Sequence, residues 1–214
     1  MHFKDIPIGS TFEFGKGAWM NAPYMWTKVD DISLMPVRSM PGHNYCAWGN
    51  SPSNFYPETE MHRWLNDPNG FLSYFSEDEI NALISQAIEI VPPKHKRKEF
   101  GHKTACVCKV ALPAMSQLVL VPDEYHNVPD EGASFRKLFE RSVPTRTACG
   151  EKSFYQTDRL GGPARVSFEQ YVYVRPLIFI NPDASFVDGD KGFRVGPELI
   201  DIDNDVLYNL LTNW

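Results

Sequence analysis

Nowhere in the chain does an apolar run reach the ~18–20 residues that a membrane-spanning helix requires. A basic excess is missing too: 21 Lys and Arg stand against 27 Asp and Glu, for a formal net charge of −6. Counterion release on a phosphate backbone, or attraction to an anionic bilayer, needs clustered cations. Neither nucleic-acid nor membrane partners are therefore expected. Residues 1–8 are polar and carry no apolar signal core, which predicts a cytoplasmic protein. Phosphate-cradling loops, the zinc-protease helix and the nucleophile elbow are all missing. Gly15-Lys16-Gly17 and Gly161-Gly162 read as turn glycines, since no phosphate-loop Lys-Ser or Lys-Thr follows them. No catalytic residue and no cofactor is predicted.

Cysteine is scarce as well, with four in all: Cys46, Cys106, Cys108 and Cys149. On a strand, Cys106 and Cys108 point to the same face and are too close in sequence for an easy mutual disulfide. Free buried thiols are the expectation.

What is present is globular. The 214 residues are 43% hydrophobic and 22% charged, outside the disordered regime. A chain of this length buries roughly 70% of its unfolded surface, enough for a core without staples. No repeat and no long linker divides it, so residues 1–214 form one predicted domain of α+β class, with mixed antiparallel sheets and a few short helices.

Alternation at Thr11-Phe12-Glu13-Phe14 predicts a strand ending at the glycines. Residues 25–29 and 32–37 flank Asp30-Asp31, a hairpin pattern. Residues 58–66 place Met61, Trp64 and Leu65 on one helical face. Ser76-Glu77-Asp78-Glu79 is a capping box, and Ile80, Leu83, Ile84, Ala87 and Ile88 continue at helical spacing toward Pro92-Pro93. Lys94-His95-Lys96-Arg97-Lys98 reads as a solvated loop. Strands are predicted at 107–112, 118–121 and 172–180, with Pro176 implying an edge or bulge in the last. A short helix is predicted at 135–141. Asn181-Pro182-Asp183 and Asp188-Gly189 mark turns, and Asn204 can cap a final helix.

Three constellations bear on chemistry. His102, Cys106 and Cys108 can supply three metal ligands, with Cys149 or Cys46 a fourth, but the usual two-residue knuckle gap is missing and core thiols are the plainer account. Asp201, Asp203 and Asp205 open like a calcium loop, yet Val206 replaces the turn glycine and Thr212 the bidentate Glu. His43 and Cys46 share a loop without a third orienting residue.

Trp48-Gly49-Asn50-Ser51, Met61-His62-Arg63-Trp64-Leu65-Asn66 and Phe75-Ser76-Glu77-Asp78-Glu79 are followed far downstream by Val174-Arg175-Pro176-Leu177. Together they resemble a bacterial and phage domain family of unknown function, with WxNS, RWLN and VRP motifs. Its architecture is similar to C-type-lectin-like and formylglycine-generating-enzyme-like folds. The chain departs from that pattern at 154–159, where the family's paired tryptophans are missing, and at Tyr173, which replaces a glycine. Buried aromatics usually serve packing, so a scaffold role is expected for the motif positions; the resemblance implies a non-enzymatic binding module, adhesin-like or virion-associated. Its ligand would be a protein or glycan. The alternatives are a cysteine- or metal-dependent enzyme of the formylglycine-generating-like fold, and a phage-borne inhibitor of a host defence protein. Recognition usually falls on loops carried by a rigid scaffold. That places candidate ligand contacts at Tyr45, Trp48, Asn50 and Tyr56 in a loop over 39–57, and at Tyr155, Asp158 and Arg159 in a loop over 150–170.

Overall fold

Strand alternation in the first third matures into the main sheet. A computed structural model describes residues 1–16, 23–40, 55–114, 117, 143–148, 153–157, 163–167 and 172–196. In chain order the elements are β1 (Thr11–Lys16), β2 (Pro23–Lys28), β3 (Ser33–Pro36), α1 (Glu60–Asn66), α2 (Glu77–Asn81), β4 (Gln86–Ile90), α3 (Arg97–Phe100), β5 (Thr104–Cys108) and β6 (Val110–Ala111). After these come β7 (Pro144–Ala148), β8 (Ser153–Thr157), β9 (Pro163–Ser167), β10 (Leu177–Phe179), β11 (Phe186–Asp188) and β12 (Phe193–Val195). The fold is mixed α+β. Short 3-10 turns at Phe3–Asp5, Tyr56–Glu58, Phe71–Tyr74 and Lys94–Lys96 complete the described elements.

Seven strands form one sheet in the order β11-β12-β1-β2-β3-β10-β6, while β4-β5 and β7-β8-β9 form two smaller sheets. Only the β1–β12 pairing is parallel among the described strands. The Asp30-Asp31 hairpin forms as the pattern predicts, with Thr27 opposite Met35. Phe3, Phe12, Phe14, Trp26 and Phe186 are buried on this sheet, and the Trp26 indole donates to the Phe14 carbonyl at 2.7 Å. Lys28 is buried with them. Its ammonium donates to the Phe3 and Ile6 carbonyls, both at 2.8 Å, so the charge is solvated by backbone oxygens in place of water.

The capping box at Ser76 is present, with Glu79 reaching back to the Ser76 N–H at 2.7 Å. The long helix expected beyond it is not. α2 ends at Asn81, and residues 86–90 are strand β4. Ile80, Leu83, Ile84 and Ile88 satisfy a helical period, but Ile88 and Ile90 also satisfy a period of two. Tertiary hydrogen bonds decide the matter: the N–H of Ile84 donates to the Phe179 carbonyl, and the N–H of Asn181 to the Ala82 carbonyl. These draw residues 82–84 along β10 and leave β4 to pair with β5.

Other expectations are corrected too. The basic run is no open loop; it forms a 3-10 turn and α3. The expected loop over 150–170 contains the β8–β9 hairpin. The strand over 172–180 is interrupted by Pro176: Val174 makes an isolated bridge to Met40, and β10 begins at Leu177, inside the sheet and not at its edge. Trp64 is only half-buried, against the Phe71 ring. The elements expected at 118–121, 135–141 and after Asn204 lie outside the described residues, as do the acidic triplet at 201–205 and the His43–Cys46 pair.

Candidate metal centre

The site begins with the N-cap of α1. Buried Thr59 accepts the His62 N–H at 3.0 Å and donates its own hydroxyl to the Tyr56 carbonyl at 2.7 Å, setting where the helix starts. Met61 and Leu65 enter the core. The far end of the helix is clamped by Asn66. Its amide donates to the His62 carbonyl (3.0 Å) and the Val110 carbonyl (2.9 Å), while its oxygen accepts the N–H groups of Lys109 and Val110 at 3.0 and 3.1 Å. All four hydrogen-bonding positions of the carboxamide are used. The effect is to seat α1 against the β5–β6 corner.

That seating brings His62 to β5. On β5 the side chains alternate, so Cys106 and Cys108 share the face that packs inward while Ala105 and Val107 are exposed. Cys106 Sγ lies 3.5 Å from His62 Nε2 across a sequence separation of 44 residues. The ligand atoms of His62, Cys106 and Cys108 all lie within 4.8 Å of one another. Tyr56 packs against the imidazole, ring centroids 4.9 Å apart and edge to face, and its hydroxyl accepts the Leu112 N–H at 2.9 Å. Among the described residues, buried His62 Nδ1 has no hydrogen-bond partner, and packing against Tyr56 together with the Nε2–Cys106 contact orients the ring.

Arg146 of β7 supplies a buried positive charge. It donates to the Leu112 carbonyl at 2.7 Å, to Gln117 Oε1 at 3.1 Å and to the Glu89 carbonyl at 3.3 Å. Burial lowers its pKa, opposed at neutral pH by the charges of Glu89 and Cys106. The two thiols divide one proton unequally. A hydrogen bond from Cys108, against the opposing effect of burial and with help from His62 and Arg146, brings Cys106 down to about 5. Cys108 is pushed up by the same hydrogen bond, by burial and by the charge on Cys106. Of the two, Cys106 is the one favoured as thiolate and Cys108 as thiol, and both are free of disulfides. Burial, with the neighbouring thiols, also raises Tyr56, which stays a neutral phenol.

The donor set suits a soft metal. Tetrahedral zinc with Zn–S of about 2.3 Å and Zn–N of about 2.0–2.1 Å places its sulfur and nitrogen ligands about 3.5 Å apart. The Cys106–His62 spacing is 3.5 Å. Thiolate and imidazole donors favour zinc over the hard oxygen-seeking cations.

Sequence reasoning named Cys106 and Cys108 but paired them with His102, which is exposed. His62 takes that place, and nothing in its local sequence marks it as a ligand. Cys46 and Cys149, weighed as fourth ligands, lie outside the described residues, as do Tyr45, Trp48, Asn50, Asp158 and Arg159. Tyr56 is a core residue, 1% exposed, beneath the thiol cluster. Tyr155 sits half-buried on β8 opposite Arg165. Neither is a loop residue. The sequence matches no family model and no curated protein, and the fold matches no solved structure.

Proposed function

We propose that this is a metal-dependent protein in which His62, Cys106 and Cys108 hold a zinc-class ion. One observation carries the reading: three soft donors from α1 and β5, far apart in sequence, converge within 4.8 Å of one another, and the Cys106–His62 pair stands at the 3.5 Å of tetrahedral ligands. Among the described residues three ligands converge, which leaves a fourth position, and Cys106 is partly accessible to solvent. Such a centre resembles catalytic zinc sites more than closed structural ones. Arg146 offsets part of the negative charge of two thiolates, which a divalent ion would otherwise carry alone. The reading belongs with the metal-dependent enzyme alternative. The binding-module reading rests mainly on residues in 41–54 and 158–162, outside the described part of the chain.

Cobalt substitution tests it. Metal-stripped protein should take up one equivalent of Co²⁺, with thiolate-to-cobalt charge-transfer absorption that Zn²⁺ abolishes. Cys106→Ser and His62→Ala should each weaken binding by at least about ten-fold, since loss of a group that merely hydrogen-bonds a ligand already costs that much. Unchanged spectra in Cys46→Ser and Cys149→Ser would support the open position; a loss in either would make the site four-coordinate and structural. Absence of stoichiometric uptake would discard the metal.

A further inference from the structure

A cavity of about 550 Å³ opens between the segment leading from β4 into α3 and the end of β7. That volume is in the range of small-molecule sites. Val91, Pro92 and Pro93 give it an apolar wall, and Lys94, His95 and Arg97 bring donors to the same space, with Thr147 opposite. No carboxylate is among these lining residues.

The cationic side is held in place. Lys96 pairs with Glu58 at 2.7 Å, Phe100 stacks on Phe55 with centroids 4.5 Å apart, and Gly101 closes α3 with φ 76°, a conformation that favours glycine. Arg97 Nε donates to the Pro92 carbonyl at 3.3 Å, which ties the guanidinium to the cavity wall. Ion pairing in this stretch uses Lys96 and Lys103, the latter with Glu89 at 3.0 Å; among the described residues neither Lys94 nor Arg97 joins a carboxylate. Two uncompensated cations thus border one apolar-walled cavity on a chain of net charge −6. Cationic N–H donors recognise oxyanions through short, charge-assisted hydrogen bonds.

We propose that this cavity binds a small molecule with a phosphate-class head group and an apolar body. The head sits on Lys94 and Arg97, with His95 as a further donor, and the body lies along Val91, Pro92 and Pro93. The site is separate from the thiol centre and does not depend on it.

Calorimetric titration at constant ionic strength tests it, with phenyl phosphate, inorganic phosphate and phenylacetate as probes. Phenyl phosphate should bind saturably and more tightly than inorganic phosphate. Lys94→Ala with Arg97→Ala should weaken it by about ten-fold or more, the scale of a lost charge-assisted hydrogen bond. Lys94→Ala alone, at an exposed side chain, should weaken it without unfolding the protein. Lys98→Ala, a basic neighbour outside the cavity, should leave it unchanged. The proposal is overturned by absence of saturable binding, by equal loss in Lys98→Ala, or by phenylacetate binding more tightly than phenyl phosphate. Equal affinity for the two phosphates would overturn the apolar part.

Discussion

The aromatic end of the large sheet and the corner where α1 meets β5 are both buried, but by different means. At the first, Phe3, Phe12 and Phe186 meet as three rings with centroids 5.2–5.6 Å apart, and ring packing predominates, with the Lys28 ammonium 4.4 Å from the Phe3 centroid. At the second, Tyr56, Asn66 and Arg146 each hydrogen-bond to backbone, and the thiols and imidazole meet without any disulfide. Apolar burial stabilises roughly in proportion to area. A polar corner contributes little net stability, yet each group left unpaired there costs about 1–3 kcal/mol. Stability should therefore reside in the sheet, and chemistry in the corner.

Trp26→Ala should give the largest loss, about 3–5 kcal/mol in a denaturant titration, because a fully buried ring and its indole hydrogen bond go together. A loss below about 1 kcal/mol would erase the contrast between the regions. Asn66→Ala should cost about 2 kcal/mol: it frees two N–H groups and a carbonyl at the β5–β6 corner and the His62 carbonyl on α1, and because these positions are only part-buried, water recovers some of the loss. It should also weaken cobalt binding by moving His62 from Cys106. A full loss of stability with metal affinity intact would mean the clamp serves the fold only.

A pH dependence in metal-free protein tests the corner from its own chemistry. Cys106 falls from an ordinary value of 9.0 to about 5, so its contribution is present above pH 9 and lost as pH drops toward 5. Cys108 is raised, so its contribution is present below pH 9 and lost above it. Stability should climb from pH 5 to 9 and decline beyond. Cys106→Ser should flatten the climb, and chemical denaturation across that range would read it. An unchanged slope in Cys106→Ser would assign the titration elsewhere.

Much of the first region was legible in the sequence. Alternation at residues 11–14, the Asp30-Asp31 turn and the capping box at Ser76 are local statements, satisfied by neighbours in the chain. The segment over 82–90 was not legible, because its isoleucines fit both periods and the choice lay with hydrogen bonds from β10. At the metal centre, the inward pairing of Cys106 and Cys108 follows from strand alternation. His62 does not, for it sits on a seven-residue helix whose pattern speaks only for Met61, Trp64 and Leu65.

By itself, the sequence determined the α+β class, the early hairpin, the helix start at Ser76 and the common face of two thiols, all of which depend on residues a few positions apart. Only the tertiary structure decided which of six histidines meets those thiols. That choice depends on how Asn66 docks α1 onto the β5–β6 corner, a geometry set by packing between segments 43–44 residues apart.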